Sequence, residues 1–121
     1  MKPVFQTRFG KQGNCLAACV SSILEVDLEV VDFSCFDHPP DKWFDLFNEK
    51  LAKIGYGLLE FHPDVLKGAA KPKHFFWIGT GMSKRGILHA VVCREEAMVH
   101  DPHPDASFVE SVGAAAFLIR V

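Results

Sequence analysis

The chemistry available to this 121-residue chain begins with a cysteine. In "KQGNCLAACVSSIL", residues 11–24, Cys15 follows Gly13 and Asn14 and precedes apolar residues at helical spacing. A cysteine at a helix start faces unpaired backbone N–H groups and the positive end of the helix dipole, both of which stabilise a thiolate. Such placement brings a thiol pKa from about 8.5 toward about 3.5–7.5. A nucleophile also needs a base, and the sequence offers His38, His62, His74, His89, His100 and His103. His89 stands out because it lies early in "GILHAVVC", after the glycine-rich turn "GTGMSKRG", where a strand end can deliver a side chain to a cleft.

The following strand supplies a third group. If Arg94, Glu95 and Glu96 form a three-residue hairpin loop, His89 directly faces Asp101, and opposed side chains have Cβ atoms about 4.5–5.5 Å apart. A four-residue loop would shift that pairing by one. An aspartate there can accept the imidazole N–H, fix its tautomer and stabilise the imidazolium. Each residue also has a plainer role: Cys15 as a buried thiol, His89 as a core histidine, and Asp101 as a turn former before Pro102. The order Cys, His, Asp on suitable elements favours catalysis. Cys19, Cys35 and Cys93 read as structural thiols, and His100 and His103 as surface or loop residues.

Leu16, Cys19, Val20, Ile23 and Leu24 predict a helix over roughly 15–25, with Cys15 at the edge of the apolar stripe. "VDLEVVDFSCFDHPP" suits a connecting loop anchored by Phe33 and Phe36. "DKWFDLFNEKLAKIG" predicts a second helix capped by Asp41, apolar along Trp43, Phe44, Phe47, Leu51 and Ile54, and stopped at Gly55. "YGLLEF", "HFFWIG", "GILHAVVC", "AMVHD" and "AFLIRV" read as strands of one sheet, and "PDVLKGAAKPK" as a surface loop or short helical turn. Helices first and strands later give an α+β class with an antiparallel sheet, in a single domain spanning 1–121.

The helix-strand-strand order of Cys15, His89 and Asp101 resembles the papain-like cysteine peptidases, most closely the double-glycine leader peptidases of bacteriocin exporters and their stand-alone relatives. Three patches carry the resemblance: "FQTRFGKQGNCLAACVSSIL", "GILHAVV" and "VHDPHP". It implies that Cys15 attacks an amide carbonyl, His89 shuttles the proton, Asp101 orients the ring, and an upstream glutamine donates to the oxyanion. That glutamine is Gln6 or Gln12; Gln6 is preferred because its segment can lie beside the helix start. The chain departs from the family in having Leu16 where a glycine usually follows the cysteine, and in the spacing of both glutamines. The resemblance implies a bacterial or phage protein acting on a peptide or protein substrate.

Composition limits the alternatives. Thirteen basic and 15 acidic residues give a formal charge of −2 with no basic run, which disfavours nucleic-acid partners. The N-terminus lacks a signal-peptide pattern and no segment reaches membrane-spanning length, so a cytoplasmic protein with free thiols is expected, and no cofactor is called for. Two rivals remain. Cys15, Cys19, His89, His100, His103 and Asp101 include zinc-ligand types but lack a usual ligand spacing. A catalytically silent module could instead bind a peptide through the same cleft, using Trp43, Phe75, Phe76 and Trp77.

Overall fold

Small and apolar residues on nearly every side of one segment make a helix that can be buried almost all round, and Cys15–Leu24 forms it as α1. Leu16, Ala17, Ala18, Cys19, Val20, Ser21 and Ser22 are all buried, and the helix ends where Glu25 turns left-handed at φ 58°. The structure, a computed structural model, describes residues 1–33, 40–67 and 74–121. Cys35, Phe36 and His38 lie outside the described residues. A single helical turn, α2 (Leu28–Val31), occupies part of the expected connecting loop, and Phe33 packs edge-on against Phe47. Helix α3 spans Pro40–Ala52, so it opens one residue before Asp41. Phe47 and Leu51 are its fully buried residues, whereas Ile54, expected on the same stripe, lies beyond the helix and is 41% exposed.

The strands are β1 (Tyr56–Phe61), β2 (Phe76–Met82), β3 (Leu88–Arg94), β4 (Ala97–His100) and β5 (Ala114–Arg120). They form one antiparallel sheet in the order β1-β5-β2-β3-β4. The expected α+β arrangement is therefore present, with the cysteine-bearing helix packed against a five-stranded antiparallel sheet. Leu16, Cys19 and Val20 of α1 meet Ile78, Ala90, Val92 and Ala116 in the main core. The free edge of β1 is partly closed by Asn48 of α3, which accepts from the Leu58 N–H at 2.6 Å and donates to its carbonyl at 3.2 Å. Side-chain occupation of an edge hinders pairing with another chain.

The other sheet face carries a second core of Trp77, Val91, Cys93 and Ala115 beneath Val109 and Leu66. Trp77 and Phe75, considered above as binding surface, belong to this layer: the Trp77 indole donates to the Glu95 carbonyl at 2.7 Å, and Phe75 packs on Phe117. Phe76 packs against the main core instead. The stretch "GTGMSKRG", expected as a turn, is half strand, because β2 continues through Met82. Close approach by the 109–113 segment explains its glycines. A Cβ at Gly79 would lie 2.9 Å from Val112 Cγ2, and one at Gly81 would lie 2.0 Å from the Ser111 carbonyl oxygen.

The β3-β4 hairpin corrects the expected register. Arg94 pairs with Ala97, leaving Glu95 and Glu96 as a two-residue connection with Glu95 at φ 55°. Cys93 pairs with Met98 but Val92 with His100, so Val99 is an extra residue at a bulge. Asp101 falls beyond the end of β4 rather than directly opposite His89. Continuing the pairing past the bulge brings it level with Val91, a diagonal neighbour of His89 on the same sheet face.

Two expectations follow. Gly81→Ala forces the Ser111 backbone away from β2 and lowers stability by about 1–3 kcal/mol in chemical denaturation. The Cys93 thiol is pushed up to about 12 by burial, with the Gly79 N–H partly offsetting it. Above about pH 8.5 the unfolded chain loses this proton while the folded chain keeps it, so stability falls by up to about 1.4 kcal/mol per pH unit toward pH 12. Urea titrations at several alkaline pH values should show a flatter decline in Cys93→Ala.

Candidate active site

Asn14 sits immediately before α1 and is fully buried, but it does not cap the helix with its side chain. Its Oδ1 accepts from the Thr7 and Arg8 N–H groups, each at 2.9 Å, while its Nδ2 donates to Thr7 Oγ1 at 2.9 Å and Asp32 Oδ2 at 3.3 Å. This ties the N-terminal segment to the helix start. Farther back, the Lys2 N–H donates to the Ser22 carbonyl and the Val4 N–H to Ser22 Oγ. On the sheet side, the Val4 carbonyl pairs with His100 Nε2 at 2.8 Å and the Gln6 N–H donates to the Pro102 carbonyl at 3.0 Å. Residues 2–8 thus form a strap between α1 and the chain leaving β4.

The strap delivers Gln6, which is 7% exposed, to a cleft of about 290 Å3 shared with Cys15, His89 and His103. Gln6 Nε2 donates to the Arg8 carbonyl at 2.9 Å, and its buried Oε1 has no hydrogen-bond partner among the described residues. Gln12 lies exposed in the 3-10 turn Gly10–Gln12 and does not line this cleft. The four preferred site residues therefore divide into three that wall one cleft and a fourth, Asp101, behind His89.

His89 and Asp101 are joined at 2.6 Å through Nε2 and Oδ1, with side chains 3% and 1% exposed. Asp101 also accepts the His103 N–H on Oδ1 at 2.9 Å and the Phe108 N–H on Oδ2 at 2.7 Å. The aspartate consequently fills both roles considered for it, turn former and histidine partner. Because Nε2 faces the carboxylate, Nδ1 is the ring nitrogen left for exchange with another group.

Cys15 is partly exposed, and its sulfur receives the backbone N–H groups of Ala90, Leu16 and Cys15 itself. Burial nevertheless outweighs these three donors and raises the thiol above its ordinary value, with the Asp101 carboxylate acting in the same direction. The expected lowering by the helix start is thus overturned by desolvation. Among the described residues no hydrogen bond joins Cys15 to His89; they meet as walls of the same cleft. Cys19 is raised well above the ordinary thiol value by complete burial, in keeping with a structural role.

Of the two histidines expected at the surface or in loops, His103 is in the loop after β4 and His100 differs. His100 is buried against the strap rather than exposed, its ring edge-on to Phe5. His103 lines the cleft, with its ring edge-on to His89 at 6.2 Å and to Phe9 at 5.1 Å. Its backbone N–H is fixed by Asp101, two residues earlier, and the only sequence signal was its position between two prolines in "DPHP". Arg85, also in the cleft wall, reaches Asp105 at 2.7 Å and fastens the 83–87 turn to the loop after β4. Ser107, through its N–H and hydroxyl, and Arg85 hold the Asp105 carboxyl well below the usual range.

Among the described residues no group of three or more His, Cys, Asp and Glu is arranged to hold a metal ion, so no geometry supports the zinc reading. No described helix is long and apolar enough to cross a membrane. Comparison with protein-family models, curated proteins and solved structures found no match to this chain.

Asp101→Asn tests the double duty of the carboxylate. The amide nitrogen must then confront either the Phe108 N–H or the His103 N–H beside the His89 ring, leaving one backbone donor unsatisfied at a cost of about 1–3 kcal/mol. Hydrogen exchange at the His103 and Phe108 amides should accelerate more than exchange in α1.

Proposed function

We propose that this chain is a cysteine peptidase or related amide hydrolase of papain-like fold, acting in the cytoplasm on a peptide or protein. The observation that carries this reading is the buried His89–Asp101 pair at 2.6 Å, whose histidine walls one cleft with Cys15 at the start of α1. Cys15, Cys19 and Cys93 are free thiols, as a reducing compartment favours.

The resting thiol is neutral, so the reaction begins with proton transfer from Cys15 to His89 Nδ1 as the sulfur attacks the carbonyl carbon. Asp101 holds the opposite ring nitrogen and stabilises the resulting imidazolium. The Cys15 N–H and the second N–H of the Gln6 amide are donors for the oxyanion. Collapse of the tetrahedral intermediate breaks the C–N bond, and His89 returns the proton to the leaving amine. Water, deprotonated by His89, then cleaves the thioester and restores the thiol. Catalytic hydrogen bonds are often long in ligand-free proteins and tighten in the complex, which accommodates the unjoined Cys15 and His89. That same separation favours the second reading, a silent peptide-binding module.

Alkylation separates the two. At neutral pH iodoacetamide should label Cys15 before Cys19 and Cys93, and His89→Ala should slow that labelling by about tenfold or more in protein that circular dichroism shows to be folded. Mass spectrometry of timed digests reads both. Prior labelling of Cys19 or Cys93, or a rate indifferent to His89, would exclude the peptidase reading.

A further inference from the structure

The cleft that joins Gln6, Cys15, His89 and His103 also has a charged end. It is bounded by the strap, the 83–87 turn and the loop after β4, and its volume of about 290 Å3 lies at the small limit of ligand sites, about 300–1,000 Å3. There is room in it for one residue of a substrate rather than for a run of them. On the proposed mechanism the leaving amine takes its proton from His89, which places the residue after the cleaved bond beside that ring. The neighbouring ring in the cleft is His103, 6.2 Å from His89 between centroids.

Hydrogen-bond accounting narrows what that residue carries. Arg85 donates through Nη1 to Asp105 Oδ2 at 2.7 Å and Ser107 Oγ at 3.2 Å, and among the described residues its Nη2 and Nε have no acceptor. The Asp105 N–H donates to His103 Nδ1 at 3.1 Å, so a neutral His103 carries its proton on Nε2, which has no partner among the described residues. No described aspartate or glutamate lines the cleft. Behind its wall, Lys84 and Arg85 approach Asp105 at 3.9 and 2.7 Å, and two cations against one carboxylate leave this end positive. Unused guanidinium donors at a positive end complement a carboxylate, which an arginine can hold through two N–H groups at once.

We infer that this cleft binds a carboxylate carried by the substrate residue that follows the cleaved bond, with Arg85 as its main donor and the His103 Nε2–H as the second. That carboxylate belongs either to an acidic side chain or to the end of the substrate chain. The inference rests on the proposed hydrolysis only for the position of the cleaved bond; capture of the carboxylate is measurable without turnover.

The test uses full-length, isotope-labelled Cys15→Ala protein and three blocked dipeptides: acetyl-Ala-Asp-amide with an acidic side chain, acetyl-Ala-Ala with a terminal carboxylate, and acetyl-Ala-Asn-amide with neither. In NMR titrations at least one of the two carboxylate peptides should move the Arg85 Nε–H and His103 ring signals and bind at least about fivefold more tightly than acetyl-Ala-Asn-amide. The tighter of the two identifies the source of the carboxylate. Adding Arg85→Gln should bring all three peptides within about twofold of one another, whereas Arg85→Lys, which keeps the charge, should retain part of the preference. Adding Asp105→Asn instead, which removes the competing carboxylate, should widen the preference by about twofold or more. Equal affinities for the three peptides, a preference that survives Arg85→Gln, or no binding at tens of millimolar peptide would overturn the assignment. Iodoacetamide labelling of Cys15 in the native protein decides the thiol reading separately, and a carboxylate preference in a protein with an unreactive Cys15 would uphold the site while removing the hydrolysis.

Discussion

A buried carboxylate must find donors, and Asp101 finds three: the His89 ring, the His103 N–H and the Phe108 N–H. Two of these bonds shape the loop after β4 and one fixes the ring of the candidate base. Loop and base cannot be adjusted independently, because they share one acceptor group. The loop in turn lies over the sheet face where Gly81 and Gly79 leave room for it. Asn14 plays the corresponding part across the cleft, where its amide spans the strap, the helix start and Asp32. The two polar hubs therefore set the thiol and the histidine from opposite sides.

The thiol shows how burial and local dipoles compete. Three N–H groups aim at Cys15, yet removal of water from the charged form is the larger effect. A nucleophile kept neutral at rest depends on its base in every turnover, unlike one held as a thiolate by its helix alone. On the proposed mechanism, the cleft exchanges standing reactivity for reactivity that arises when a substrate brings thiol and ring together.

Periodicity made much of the fold legible. The 3.6-residue stripes of α1 and α3 and the short apolar runs of all five strands were readable, because each repeats a local requirement along consecutive residues. The Cys15, His89 and Asp101 grouping was also foreshadowed, although by a register that the structure does not use. Nothing in "CREEAMVH" marks Val99 as the extra residue, since a bulge depends on how two strands meet. Its shift keeps Asp101 on the face of His89, which is why a faulty pairing still led to the correct neighbour. Gly79 and Gly81 misled for a different reason: glycine serves turns and close strand contacts alike, and only Val112 and Ser111 decide between them. The burial of His100 and the Cys15 desolvation depend on residues distant in sequence, so local patterns carried no sign of them.

The strand order has a bearing on when the molecule can become whole. β5, the last strand, lies between β1 and β2 and pairs with both. During synthesis β2 and β3 can form a hairpin early, but the sheet stays divided until residues 114–120 have left the ribosome. Joining it then requires contacts between distant parts of the chain, the kind that slow folding. Cys15 is thus made long before its surroundings exist, and for that interval its protection depends on the reducing conditions of the cell rather than on the fold.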